Sequence, residues 1–96
     1  MSRKLLIERK ALKRLSELPD KSQRLIKERC RSLSYDPYPG QGGDKELLHL
    51  DYKLYRLHVG RSFTVFYQIC EDDDLVKILE ITTIEKAHKL YKRLEE

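Results

Sequence analysis

Arg56 and His58 stand two positions apart in the run Leu54-Tyr55-Arg56-Leu57-His58-Val59-Gly60. On a β-strand, period-2 geometry puts both side chains on one face, roughly 7 Å apart at about 3.3–3.4 Å of rise per residue. Arg61 follows at the next turn, and Tyr91 lies near the end of the chain, where a terminal helix could fold back over that face. A guanidinium, an imidazole and a phenol together suit cleavage of an RNA backbone. That reaction takes the proton from a 2′-hydroxyl, stabilises a phosphorane with positive charge and protonates a leaving 5′-oxygen. General acid–base help contributes roughly 10²–10⁴-fold, and fixed charge at the transition state is often the largest single term. Histidine, with an unperturbed pKa of about 6.5, suits proton transfer at neutral pH. The same residues also fit a plainer role. An Arg and a His are commonly the wet side of an amphipathic strand, and a tyrosine at a helical position can be core.

The elements that must position these groups follow from the patterning. Arg3 to Ile7 is short and apolar-centred, a first strand. From Arg9 the spacing changes: Ala11, Leu12, Leu15 and Leu18 recur at helical intervals until Pro19 ends the helix. Asp20 is then expected as the N-cap of a second helix, with Gln23 completing an approximate capping box. Leu25, Ile26, Cys30 and Leu33 form its apolar stripe, and the helix runs to about Ser34. Two helices joined by Leu18-Pro19-Asp20 should form an antiparallel hairpin lying on a sheet. Residues 35–43, rich in Pro and Gly, read as a loop. Lys45 to Leu50 opens the sheet. Lys53 to Val59 alternates, with Tyr55, Leu57 and Val59 on one side and Leu54, Arg56 and His58 on the other. Gly60-Arg61-Ser62 reads as a tight turn, and Phe63 to Cys70, nearly all apolar, as a central strand covered on both faces. Glu71 to Asp74 is a solvated turn, Leu75 to Ile81 the next strand, and Ile84 to Leu94 a short basic helix. The turns are too short for a parallel return, so these strands pair antiparallel. The expected fold class is α+β: an N-terminal strand and helical hairpin packed on an antiparallel β-sheet meander, closed by a short C-terminal helix.

The length of 96 residues allows one core and one domain, residues 1–96. The chain is 40% hydrophobic and 38% charged, and no uncharged run is long enough to span a membrane. Leu5-Leu6-Ile7 is too short for the apolar region of a secretory signal, so the expected compartment is the cytoplasm. Cys30 and Cys70 lie far apart and are expected as reduced, partly buried thiols. His49, His58 and His88 lack the close pairing of metal ligands, so no metal and no cofactor is expected. The net charge is +4. Residues 1–31 carry eleven basic side chains against four acidic ones. Such a local excess attracts nucleic acid or an acidic partner, or it simply solvates two helices.

In the order and wording of these pieces the chain resembles the RelE/ParE family of toxins from toxin–antitoxin modules. The resemblance rests on the strand and hairpin with Leu18-Pro19, the strand Tyr55-Arg56-Leu57-His58-Val59-Gly60, and Phe63-Thr64-Val65-Phe66-Tyr67. An acidic turn, another apolar strand and a basic tail with Tyr91 complete it. It implies a ribosome-dependent endoribonuclease that cleaves mRNA in the A site without a metal, by attack of the 2′-hydroxyl, and so inhibits translation. Carried over by position, Arg56 and His58 would bind and stabilise the scissile phosphate, Tyr91 would be the C-terminal tyrosine, and Arg61 a nearby cation. Lys53, Lys86, His88 and Lys89 are candidates for RNA contact. The resemblance also implies a RelB-like antitoxin as cognate partner, alongside the ribosome and mRNA. Two departures stand out: the family's arginine in the following strand matches Thr64, and its basic pair after the last strand falls near Thr83-Ile84. These departures favour a ParE-like inhibitor of DNA gyrase that needs no catalytic set, or a degenerate toxin that only binds its antitoxin. Arg56 with His58 favours the nuclease.

Overall fold

Helix and strand follow the two periodicities of the sequence in the computed structural model, which describes residues 2–40, 42–87 and 89. The elements are β1 (Lys4–Ile7), α1 (Arg9–Ser16), α2 (Asp20–Ser32), β2 (Lys45–His49), β3 (Lys53–Val59), β4 (Phe63–Cys70) and β5 (Leu75–Thr83). Residues 84–87 and 89 are helical. The sheet order is β1-β5-β4-β3-β2. The strands β2 to β5 form the expected antiparallel meander, while β1 pairs parallel with β5, Lys4 opposite Leu75 and Ile7 opposite Ile78.

The helical hairpin covers one face of the sheet. Ala11 and Leu15 of α1, and Ile26 and Cys30 of α2 with Leu33 just beyond it, stand at i, i+4 and i+7 spacing. They bury themselves against Tyr55, Leu57, Val59, Val65, Tyr67, Val76, Ile78 and Ile81. Two expectations fail here. Pro19, not Asp20, is the N-cap: its extended backbone (φ −57°, ψ 151°) turns the chain into α2, and Asp20 becomes the first helical residue with no side-chain cap bond. Gln23 reaches back all the same, its Nε2 donating to the carbonyl of Leu18 at 2.8 Å. Leu25 is 41% exposed rather than part of the buried stripe. It leans on the β3–β4 turn, where Gly60 takes φ +60° and an added Cβ would stand 3.6 Å from Leu25 Cδ2.

Residues 35–40 are tied to the same side by aromatic packing. Tyr38 meets Tyr55 edge-on at 6.4 Å, and Tyr55 stacks on Tyr67 at 5.4 Å. The Tyr67 hydroxyl donates to the Pro37 carbonyl at 2.6 Å. Cys30 is buried and Cys70 half-buried, both unbridged thiols, and burial pushes the Cys30 thiol up to about 12.

The opposite face carries a second, smaller cluster of Leu48, Leu54, Phe66 and Ala87, with Leu50 and Leu79 against it. The helical residues after β5 therefore fold over this face. Because β4 contributes Val65 and Tyr67 to one cluster and Phe66 to the other, it is the centrally buried strand that its apolar run predicts.

Candidate functional site

Alternation along β3 decides where Arg56 and His58 point. Tyr55, Leu57 and Val59 are buried under the helices, so Arg56 and His58 face the other way, each half-buried. Directly opposite Arg56 stand Glu46 on β2 and Phe66 on β4. Residues opposed across strands share a face, and the Glu46 carboxylate accepts a hydrogen bond from the Arg56 guanidinium. Opposite His58 on β4 stands Thr64, which in turn opposes Thr82 on β5. The face is thus a small lattice: a carboxylate–guanidinium pair on one rung and an imidazole beside two threonines on the next.

The helical residues after β5 supply one wall. Ala87 packs on Leu48, Leu54 and Phe66. The start of this helix is pinned twice: Lys86 N–H donates to the Thr83 hydroxyl at 3.2 Å, and Ile84 N–H donates to the Ser62 carbonyl at 2.9 Å. The second bond ties it to the turn that holds Arg61, an exposed residue three positions after His58. Tyr91 and His88 lie outside the described residues.

The remaining candidates are more scattered. Lys86 is exposed and lines a cavity of about 220 Å³ with Arg14, Leu18, Phe63 and Ile81, at the end of the sheet. Lys89 is exposed on the same helix. Lys53 is exposed at the start of β3, and by alternation it shares the side of Tyr55 rather than that of Arg56. Glu46 is not singled out by the sequence, and Thr64 only as a departure from the family's arginine. Glu46 is detectable once the β2–β3 register is known, since like-facing opposite charges attract across strands. Thr64 is fully buried and its hydroxyl has no hydrogen-bond partner among the described residues. A threonine in an apolar β-run gives no sign of this.

Among the described residues no group of three or more His, Cys, Asp or Glu side chains could hold a metal ion. None of the described helices is long and apolar enough to cross a membrane. What the face can do with its own groups is hold an anion on Arg56 and exchange a proton through His58.

Known proteins resemble this chain in sequence and fold. The chain is 31% identical over 83 residues to a protein named as toxin RelE1 in Methanocaldococcus jannaschii, covering 86% of this chain and 91% of that one. The crystal structure of the archaeal RelE–RelB complex from Pyrococcus horikoshii superposes with a TM-score of 0.73 at 28% identity, over 86% of this chain and 96% of that one. The RelBE2 toxin–antitoxin complex of Mycobacterium tuberculosis, at 18% identity, shares the fold with a TM-score of 0.72 over 86% of this chain and 99% of that one. Residues 5–88 match the family described as the ParE toxin of the type II toxin–antitoxin system parDE. The match over residues 5–88 and the 31% identical relative show that the chain belongs to the RelE/ParE family of type II toxins.

Proposed function

We propose that this toxin is a ribosome-dependent endoribonuclease that cleaves mRNA in the cytoplasm and so stops translation. The observation that carries the reading is the shared face of Arg56 and His58, walled by the helical residues around Ala87. In the reaction Arg56 holds the scissile phosphate and stabilises the phosphorane. His58 takes the 2′-hydroxyl proton, Arg61 adds charge from the turn, and Tyr91 is assigned the leaving-group side. Lys86, His88 and Lys89 are assigned to the RNA backbone beside the site, and Lys53, which leaves β3 on the helix side, to RNA beyond it. The chemistry uses only the chain's own groups. A RelB-like antitoxin is the proposed partner, supported by the RelE–RelB complexes that share this fold.

A second reading, inhibition of DNA gyrase in the manner of ParE, is favoured by the buried Thr64 and by Thr83-Ile84, where the family's basic residues are absent. One experiment separates the two. Expression of the chain without an antitoxin should arrest growth, and Arg56→Ala with His58→Ala should relieve the arrest. Mapping transcript 5′ ends in arrested cells should reveal new ends inside the codons of translated messages. Intact messages with broken chromosomes would replace the nuclease with the gyrase reading.

A further inference from the structure

Thr64 occupies the centre of the chemical face and has no satisfied role there. Its side chain is fully buried, yet its hydroxyl meets no donor or acceptor among the described residues. A buried unpaired hydroxyl is unfavourable in a native structure and points to a partner that the resting arrangement leaves unengaged.

The ladder identifies that partner. His58 N–H donates to the Asp44 carbonyl at 2.8 Å, so the backbone of His58 turns toward β2 and away from β4. His58 and Thr64 are therefore a non-hydrogen-bonded pair of the antiparallel ladder, with Cα atoms about 4.5 Å apart and side chains closer than in the alternate pairs. On its other side Thr64 opposes Thr82 in the wider kind of pair, about 5.5 Å between Cα atoms. The imidazole thus faces the hydroxyl across the closer of the two ladder pairs. Hydrogen bonds between such partners are often loose in the absence of substrate.

We propose that Thr64 is a positioning residue for His58: an imidazole N–H donates to Thr64 Oγ, which fixes one neutral tautomer and leaves the unprotonated nitrogen facing the open side of the strand. The contact is a claim about the folded chain alone; its role in proton abstraction rests on the nuclease reading above. In that role the outward nitrogen is the one that accepts the 2′-hydroxyl proton, and Thr64 touches only the ring. Thr64 then serves the reaction through the imidazole rather than by touching the phosphate.

The test compares the full-length chain with Thr64→Val, which keeps the shape and removes the hydroxyl, and Thr64→Ser, which keeps the hydroxyl. Thermal melting first confirms that all three fold. The ring nitrogens of His58 are then read by ¹⁵N NMR at a pH where the ring is neutral. Wild type and Thr64→Ser should show one dominant tautomer, and Thr64→Val a mixture. The same tautomer ratio in all three overturns the proposal, whatever their activity. On programmed ribosomes Thr64→Val should lower kcat by about 10-fold or more with KM unchanged, Thr64→Ser should restore it, and Thr64→Val should add no further loss to His58→Ala. A loss that simply adds to that of His58→Ala overturns the positioning role. If the tautomer shifts while wild type cleaves no message, the contact stands and the nuclease reading is what fails.

Discussion

Arg56 must release or share one partner before it can hold another. Its guanidinium already engages Glu46, and the side chains are 17% and 51% exposed. Partly exposed pairs of this kind contribute at most about 1 kcal/mol. A phosphate, which accepts the guanidinium fork in two places, competes well against a carboxylate held that weakly. Glu46 therefore acts as a counter-charge that keeps Arg56 oriented while the face is empty. An uncharged isostere, whose amide oxygen still accepts from the guanidinium, should keep most of the orientation and weaken the competition. Glu46→Gln is expected to bind a short single-stranded RNA several-fold more tightly at low salt. The dependence of log affinity on log salt should steepen by roughly the share of one phosphate contact. Fluorescence anisotropy over a salt series measures both quantities. Equal affinity and equal slope for the two chains would show that Arg56 does not meet the RNA backbone.

Between elements, what the sequence discloses depends on whether the relevant signal is local. The alternation from Leu54 to Val59 and the break at Pro19 are written in consecutive residues, and both appear in the structure as expected. The parallel seat of β1 beside β5 is not legible, because four residues of strand carry no mark of a partner some seventy positions away. Nor is the orphaned hydroxyl of Thr64, which depends on what faces it across two strands. The tyrosine packing beneath the hairpin also emerges only in three dimensions, and with Cys30 it sets a pH limit on the fold. Burial raises the Tyr67 phenol above its usual range, with Tyr55, Asp44 and Asp36 adding to the effect, and pushes the Cys30 thiol up to about 12. In the unfolded chain a thiol loses its proton from about pH 8.5 and a phenol from about pH 10. Over that range the unfolded state holds fewer protons than the native one, so stability falls as pH rises. The melting temperature should be level near neutrality and decline from about pH 8.5 upward. Cys30→Ala should melt lower than wild type at pH 7, and the gap should narrow with rising pH. A gap that stays constant up to about pH 10 would mean that the thiol is not held protonated by the fold.

Seen as a whole molecule, the chain has two chemically different sides separated by the thickness of one sheet. Arg56 and His58 face away from the helices, while Lys13, Lys21, Arg24, Lys27 and Arg31 stand exposed on or beside the hairpin. RNA lying on the His58 face would be out of reach of these cations, because the core lies between them. Their excess charge is instead suited to a large polyanion on the outer side, which for a nuclease acting on ribosomes means ribosomal RNA. Chemistry and attachment should then separate under mutation. Reversing Lys13, Lys21 and Lys27 to Glu removes exposed charges that make no ion pair among those described and disturbs no core position. The triple variant is expected to fold with an unchanged melting profile, to sediment with ribosomes far more weakly, and to lose most of the salt sensitivity of that association. Its cleavage rate once bound, measured at saturating ribosomes, should match wild type. Arg56→Ala with His58→Ala should do the reverse, sedimenting normally and cleaving nothing. If the hairpin variant instead binds ribosomes as wild type does, the basic helices are merely a solvated surface and the ribosome must be met by the sheet side alone.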